Sequence, residues 1–103
     1  MRVFVDKKVK AVLDSFYTAA LKLHVSLDEE VVVQKKDRLL DSLESLGAFP
    51  SKYPLSRVHR EWIQKGYREF IVEDFHFAYE VCEDEEGLPF VWVHDAVHSL
   101  LNH

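Results

Sequence analysis

His76, His94 and His98 are the residues of this chain best suited to proton chemistry. An unperturbed imidazole titrates near pH 6.5, so it can both take and give a proton at neutral pH. Cleaving RNA through its 2′-hydroxyl needs a base, an acid for the leaving oxygen and a cation for the charged phosphate. The histidines can fill the first two roles, and Arg68 or Arg60 the third. His94 and His98 are four apart, so on one regular strand they share a face, on the order of 13 Å apart. A third group would have to stand between them. Asp95 can orient the neighbouring imidazole or sit at a solvated strand end. Trp62, Trp92 and Tyr67 have faces on which bases can stack, but aromatic rings more often pack in cores or interfaces. The plain alternative for His76 and His94 is a polar residue on a wet sheet face. His94, His98 and His103 lack a fixed carboxylate partner, so no metal site and no cofactor is expected.

These residues must be held by strands. Gly66 to Val81 has the form of two strands joined at Glu73-Asp74. Apolar residues recur at every second position, at Phe70 and Val72 and again at Phe75, Phe77, Tyr79 and Val81. A two-residue turn pairing Val72 with Phe75 puts all six on one side. It also turns Arg68 toward that aromatic side and His76 away from it. A three-residue turn would put Arg68 and His76 together, but the unbroken aromatic floor favours the shorter one. Pro89 opens a last strand, Phe90 to Val97, in which Val91, Val93 and Val97 alternate with Phe90, Trp92 and His94. Arg57 to Ile63 is expected as a strand or an irregular edge. Glu83 to Gly87 is a solvated acidic loop. His98 to His103 forms one helical turn or a loose tail.

An aromatic floor needs a lid, and the first half of the chain provides one. Arg2 to Val5 is a short strand, and Asp6 can cap the helix next in the chain. In that helix Val9, Val12, Leu13, Phe16, Ala20, Leu23 and Leu27 keep the spacing of one buried stripe. Ser26 and Glu29 have the form of a capping box that opens a second helix running to Leu46. That helix carries Val32, Leu39, Leu40, Leu43 and Leu46. Gly47 and Pro50 stop it, and a loop from Ala48 to Ser56 leads back to the sheet. So close a junction predicts an antiparallel αα-hairpin. The fold class is α+β: an N-terminal strand and an αα-hairpin packed on one face of an antiparallel sheet of three to five strands, the other face being open.

The chain of 103 residues is expected to form a single domain, 1–103, with enough apolar residues for a core. Its one cysteine, Cys82, cannot form an internal disulfide and fits a reducing cytoplasm. No stretch is a signal peptide or membrane span by length. The net charge of −5 is uneven: residues 57–103 carry four basic and ten acidic side chains. That balance argues against a broad phosphate-binding surface on the sheet half.

The order of elements resembles the RelE/ParE superfamily, the toxins of bacterial type II toxin–antitoxin systems. The resemblance covers nearly the whole chain. It rests on the opening strand and helical hairpin, Leu46-Gly-Ala-Phe-Pro50, Tyr67-Arg-Glu-Phe-Ile-Val72, Phe75-His-Phe-Ala-Tyr79, and a valine-rich strand ending at His98. It implies a cytoplasmic, growth-inhibiting protein of the plasmid-stabilisation kind, silenced by a cognate antitoxin. The RelE, YoeB, HigB and YafQ branches imply a ribosome-dependent mRNA endonuclease. The ParE branch implies a protein-binding inhibitor of DNA gyrase. Arg68 matches the Arg of the segment common in ParE-type chains. His98 matches a histidine found in both ParE-like and YafQ-like chains. His76 stands where a Tyr-Arg-x-x-Tyr strand has its Arg, and Phe70 stands at the second basic position of RelE. The ParE-like branch is therefore favoured. If the chain is a ribonuclease, His98, His76 and Arg68 carry catalysis. His94, Arg60 and Trp92 are the binding candidates. A non-toxic interaction module on the same fold is the remaining reading.

Overall fold

The computed structural model describes residues 1–23 and 28–99. In chain order it contains β1 (Arg2–Val5), α1 (Lys7–Leu23), α2 (Glu29–Glu44), a 3₁₀ turn (Ser45–Gly47), α3 (Arg60–Lys65), β2 (Arg68–Val72), β3 (Phe75–Glu83) and β4 (Pro89–His98). The expected Ser26 cap, Leu27 and the tail from Leu100 to His103 lie outside the described residues. The fold is α+β, as expected from the element order.

The sheet has the order β1-β4-β3-β2. β2, β3 and β4 form an antiparallel meander. β1 runs parallel to β4, with Val3 opposite Val91 and Val5 opposite Val93. The sheet is therefore mixed, not purely antiparallel. The physical reason is the crossover: β1 enters the sheet through the helical layer and not through a tight turn, so its direction is free of the hairpin constraint.

Asp6 caps α1 by accepting from the Lys8 amide at 2.9 Å. Asp28 caps α2 through the Glu30 amide at 2.9 Å. An ion pair between Asp14, near the middle of α1, and Lys36, near the middle of α2, fits two antiparallel helices. Gly47 ends this unit at a close approach: a Cβ there would lie 2.2 Å from the Met1 carbonyl oxygen. Only glycine lets the first strand pass so near.

The β2–β3 turn has the expected length. Glu73 and Asp74 both take positive φ, 48° and 68°, as the twist of a two-residue hairpin demands. Val72 pairs with Phe75, Phe70 with Phe77 and Arg68 with Tyr79. Phe70, Phe75, Phe77 and Tyr79 join Val91, Val93 and Ala96 beneath Val9, Leu13, Tyr17, Val32, Leu39, Leu43 and Leu46. Val81 is on the same side but stands near the strand end, 43% exposed.

Two expectations for the sheet need correcting. First, the register between β3 and β4 shifts at Ala78/Tyr79: Ala78 opposes Asp95, whereas Tyr79 opposes Val93. The extra residue is His94, a β-bulge that reverses the alternation beyond it. Val97 thus falls on the face of its partner His76, and Ala96 and His98 on the core face. Second, Arg57 to Ile63 is not a strand. Its second half enters α3, which Gly66 closes in the left-handed conformation (φ 71°), its amide donating to the carbonyls of Trp62 and Ile63. Only Trp62 of this helix is buried.

Candidate functional site

The face of the sheet away from α1 and α2 is open only in part: Phe4 and Ile71 on it are 51% and 57% exposed, but its middle is covered. Ala78 lies on it and is fully buried. The segment from Tyr53 to Tyr67 crosses it. Pro54 and Ser56 exchange backbone hydrogen bonds with Glu69 and Tyr67 along the outer edge of β2, and Leu55 bridges Arg68. Trp62 is anchored by its indole N–H, which donates to Asp95 Oδ2 at 3.1 Å. Between this roof and the sheet lie two polar clusters.

The first joins three segments. Glu69 of β2 and His76 of β3 are diagonal neighbours across the hairpin, displaced from the Ile71–His76 pair along β2. Glu69 Oε2 is 3.0 Å from His76 Nδ1. Ser56 donates to Glu69 Oε1 at 2.9 Å. His59, at the entry to α3, brings Nε2 within 3.8 Å of the same oxygen. His76 Nε2 is 2.9 Å from Ser99 Oγ, which also lies 2.9 Å from the Asp74 carbonyl. A hydroxyl has one proton. When Ser99 gives it to Asp74, His76 donates from Nε2, and a proton or another cation must fill the gap between Nδ1 and the carboxylate. This is a half-buried carboxylate–imidazole–hydroxyl line that can move a proton or hold a cation.

The second cluster centres on the bulged His94. Its ring is sandwiched between Tyr67 and Trp92, with both centroids at 4.5 Å. Its Nε2 lies 2.8 Å from Glu80 Oε1. Trp92 donates to Asp6 Oδ2 at 3.2 Å, and hydrogen bonds from the Lys8 amide and Trp92 keep the Asp6 carboxyl below its usual range. Cys82 Sγ lies 3.4 Å from Glu80. Desolvation, and then the Glu80 carboxylate, push the Cys82 thiol up to about 11. At pH 7 its thiolate fraction is therefore about a hundredfold below that of an ordinary thiol. Alkylation of Cys82 by iodoacetamide is expected to be slow at neutral pH and to keep accelerating toward pH 11. Glu80→Gln should lower the midpoint and speed the reaction. A midpoint near 8 to 9 in the parent chain would contradict this environment.

Of the sequence candidates the structure brings His94 and Trp92 together, but it does not gather Arg68, His76 and His98. Arg68 faces the core side, where its guanidinium donates to the Tyr53 carbonyl at 2.7 Å. Beside it the Tyr79 hydroxyl donates to Pro50 at 2.7 Å. Both tie down the loop that crosses from the helices. His98 is buried, 7% exposed, stacked on Phe16 at 4.3 Å and edge-on to Phe75 at 4.8 Å. The expectation that His94 and His98 share a face fails because His94 is itself the bulged residue, beyond which the alternation is reversed. Asp95 holds Trp62 and, at 3.4 Å, Lys8; His94 takes Glu80 as its carboxylate. Trp62 is too buried to stack on a base. Arg60 is exposed at the start of α3, beside a groove of about 390 Å³ that His59, Trp62 and Asp95 also line.

Glu69, His59, Ser56 and Ser99 are not among the sequence candidates. The Glu69–His76 diagonal is implicit in a two-residue turn and can be found there. Nothing in the spacing places His59 over that pair. Comparison with known proteins finds neither a family model nor a curated protein that matches the chain.

Proposed function

We propose that this chain is a cytoplasmic toxin of the RelE/ParE kind, held silent by an antitoxin, and that it acts in the ParE manner by binding a protein target such as DNA gyrase. What supports the family reading is the ordered set of motifs on an α+β scaffold. What carries the choice of branch is the dispersal of Arg68, His76 and His98: a ribonuclease built on them needs all three around one phosphate. Arg68 and His98 are instead committed to the helical side. A silencing partner needs an apolar surface. A groove of about 800 Å³ beside α1 supplies one, lined by Val12, Phe16, Ala19, Ala20, Phe75 and Ala96.

The carboxylate-held imidazole of His76 favours one second reading, a ribosome-dependent mRNA endonuclease centred on His76. Induced expression of the parent chain and of His76→Ala, scored for growth arrest, mRNA cleavage and DNA damage response, separates the two. The ParE-like reading expects arrest with a DNA damage response and intact mRNA in both strains. mRNA cleavage that His76→Ala abolishes would overturn it in favour of the nuclease. No arrest in either strain would reject toxicity and leave a non-toxic interaction module.

A further inference from the structure

The geometry points to a divalent transition-metal site formed by His59, Glu69 and His76, in the zinc class. Their donor atoms all lie within 4.8 Å of one another. Glu69 Oε2 is 3.0 Å from His76 Nδ1, and Glu69 Oε1 is 3.8 Å from His59 Nε2. Metal–ligand bonds of roughly 2.0–2.1 Å in a tetrahedral arrangement set donors about 3.3 Å apart. The two observed separations run to different oxygens of Glu69 and straddle that value, and the two imidazole donors lie within 4.8 Å of each other, so the set has to contract around an ion. The side chains are 11%, 10% and 18% exposed for His59, Glu69 and His76. They are shielded enough to hold an ion and open enough to admit one.

The donor set selects the class of metal. Two imidazoles and one carboxylate suit zinc, cobalt or nickel, whereas magnesium and calcium prefer all-oxygen shells. The surroundings fit too. A ligating histidine commonly donates its other N–H to an oxygen that fixes the ring, and His76 Nε2 has Ser99 Oγ at 2.9 Å for this. Ser56 does the same for the carboxylate. Three protein ligands leave a fourth position for water or for a ligand atom from a bound partner. The other such group among the described residues, Glu80, Cys82 and His94, is a poorer set, because Glu80 is 38% exposed and the thiol keeps its proton at neutral pH.

The site joins the start of α3 to both strands of the β2–β3 hairpin, so metal binding would pin the roof to the sheet. The inference is independent of the toxin reading. The test uses the purified full chain, stripped with a chelator. Titration with Co²⁺ is monitored by the visible d–d bands, and Zn²⁺ is then measured by calorimetry and by competition against Co²⁺. One equivalent is expected, with visible bands of a low-coordinate cobalt site that Zn²⁺ displaces. His59→Ala, His76→Ala and Glu69→Gln should each abolish it. Ser99→Ala should weaken it roughly 10- to 100-fold. His94→Ala should keep it. Glu69→Gln retains an acceptor for Ser56 and keeps the hairpin, which circular dichroism checks. No binding by the parent chain would overturn the proposal. So would binding that survives Glu69→Gln and His59→Ala, or that His94→Ala removes.

Discussion

Truncating Phe77 to alanine is expected to remove about 3–5 kcal/mol of folding stability. The ring is fully buried, sits opposite Ala96 in the sheet and lies between Phe70 and Phe75, with centroids at 6.4 and 6.0 Å. Ala96 is too small to fill the space from across the strand pair. The surrounding sheet is hydrogen-bonded on both sides of β3, so it cannot collapse inward. A domain of this size is typically stable by about 5–15 kcal/mol, and the variant should unfold at a much lower urea concentration with an unchanged m-value. A loss under about 1 kcal/mol would mean that the aromatic floor is loosely packed.

The second large effect concerns His98. His98→Ala is expected to cost about 2–4 kcal/mol, because it vacates the slot between Phe16 and Phe75. His98→Gln keeps a polar group of middle size there and removes the aromatic ring. Its stability should be intermediate. If the chain arrests growth, the glutamine variant should arrest it at equal soluble protein level. An alanine scan alone would mislead, since a lost fold and a lost catalyst look alike in a growth assay. Urea unfolding of both variants beside the growth assay separates the two cases. Stable His98→Gln protein with no arrest would return His98 to a direct functional role.

Which parts of the fold are legible in the sequence depends on the rule that governs each residue. The floor of Phe70, Phe75, Phe77 and Tyr79 is readable because strand alternation is strict and the turn at Glu73-Asp74 is short. The start of the first helix is readable because capping is a local matter, and Asp6 serves as expected; for the second helix the cap is Asp28, two residues past the expected Ser26. The bulge at His94 is not readable, since an extra residue leaves both flanking segments with valid alternation and only cross-strand pairing reveals the slip. That single residue moves Val97 and His98 to the opposite faces. α3 escapes because its 6 residues span fewer than two turns and cannot display a helical stripe. What decides for helix is Gly66, whose left-handed conformation stops a turn and not a strand. The parallel pairing of β1 depends on the path of the chain across the helical layer, which no local pattern records. The candidate site divides in the same way: Glu69 and His76 come from hairpin register, His59 and Ser99 from segments brought in by the tertiary fold.

The place of β1 at the edge of the sheet has a consequence during synthesis. Among the described residues its one neighbouring strand is β4, the last strand made. While the ribosome is still adding residues, β1 has no strand to join, and the helices made after it have only part of their floor. Pairings this distant in sequence are slow to form, and a chain with an unpaired strand is a target for other strands and for proteases. Every copy therefore passes through an interval in which it is complete in its helices yet unfinished in its sheet. A partner that recognises the finished groove beside α1, whose floor includes Phe75 of β3 and Ala96 of β4, can act only after that interval ends.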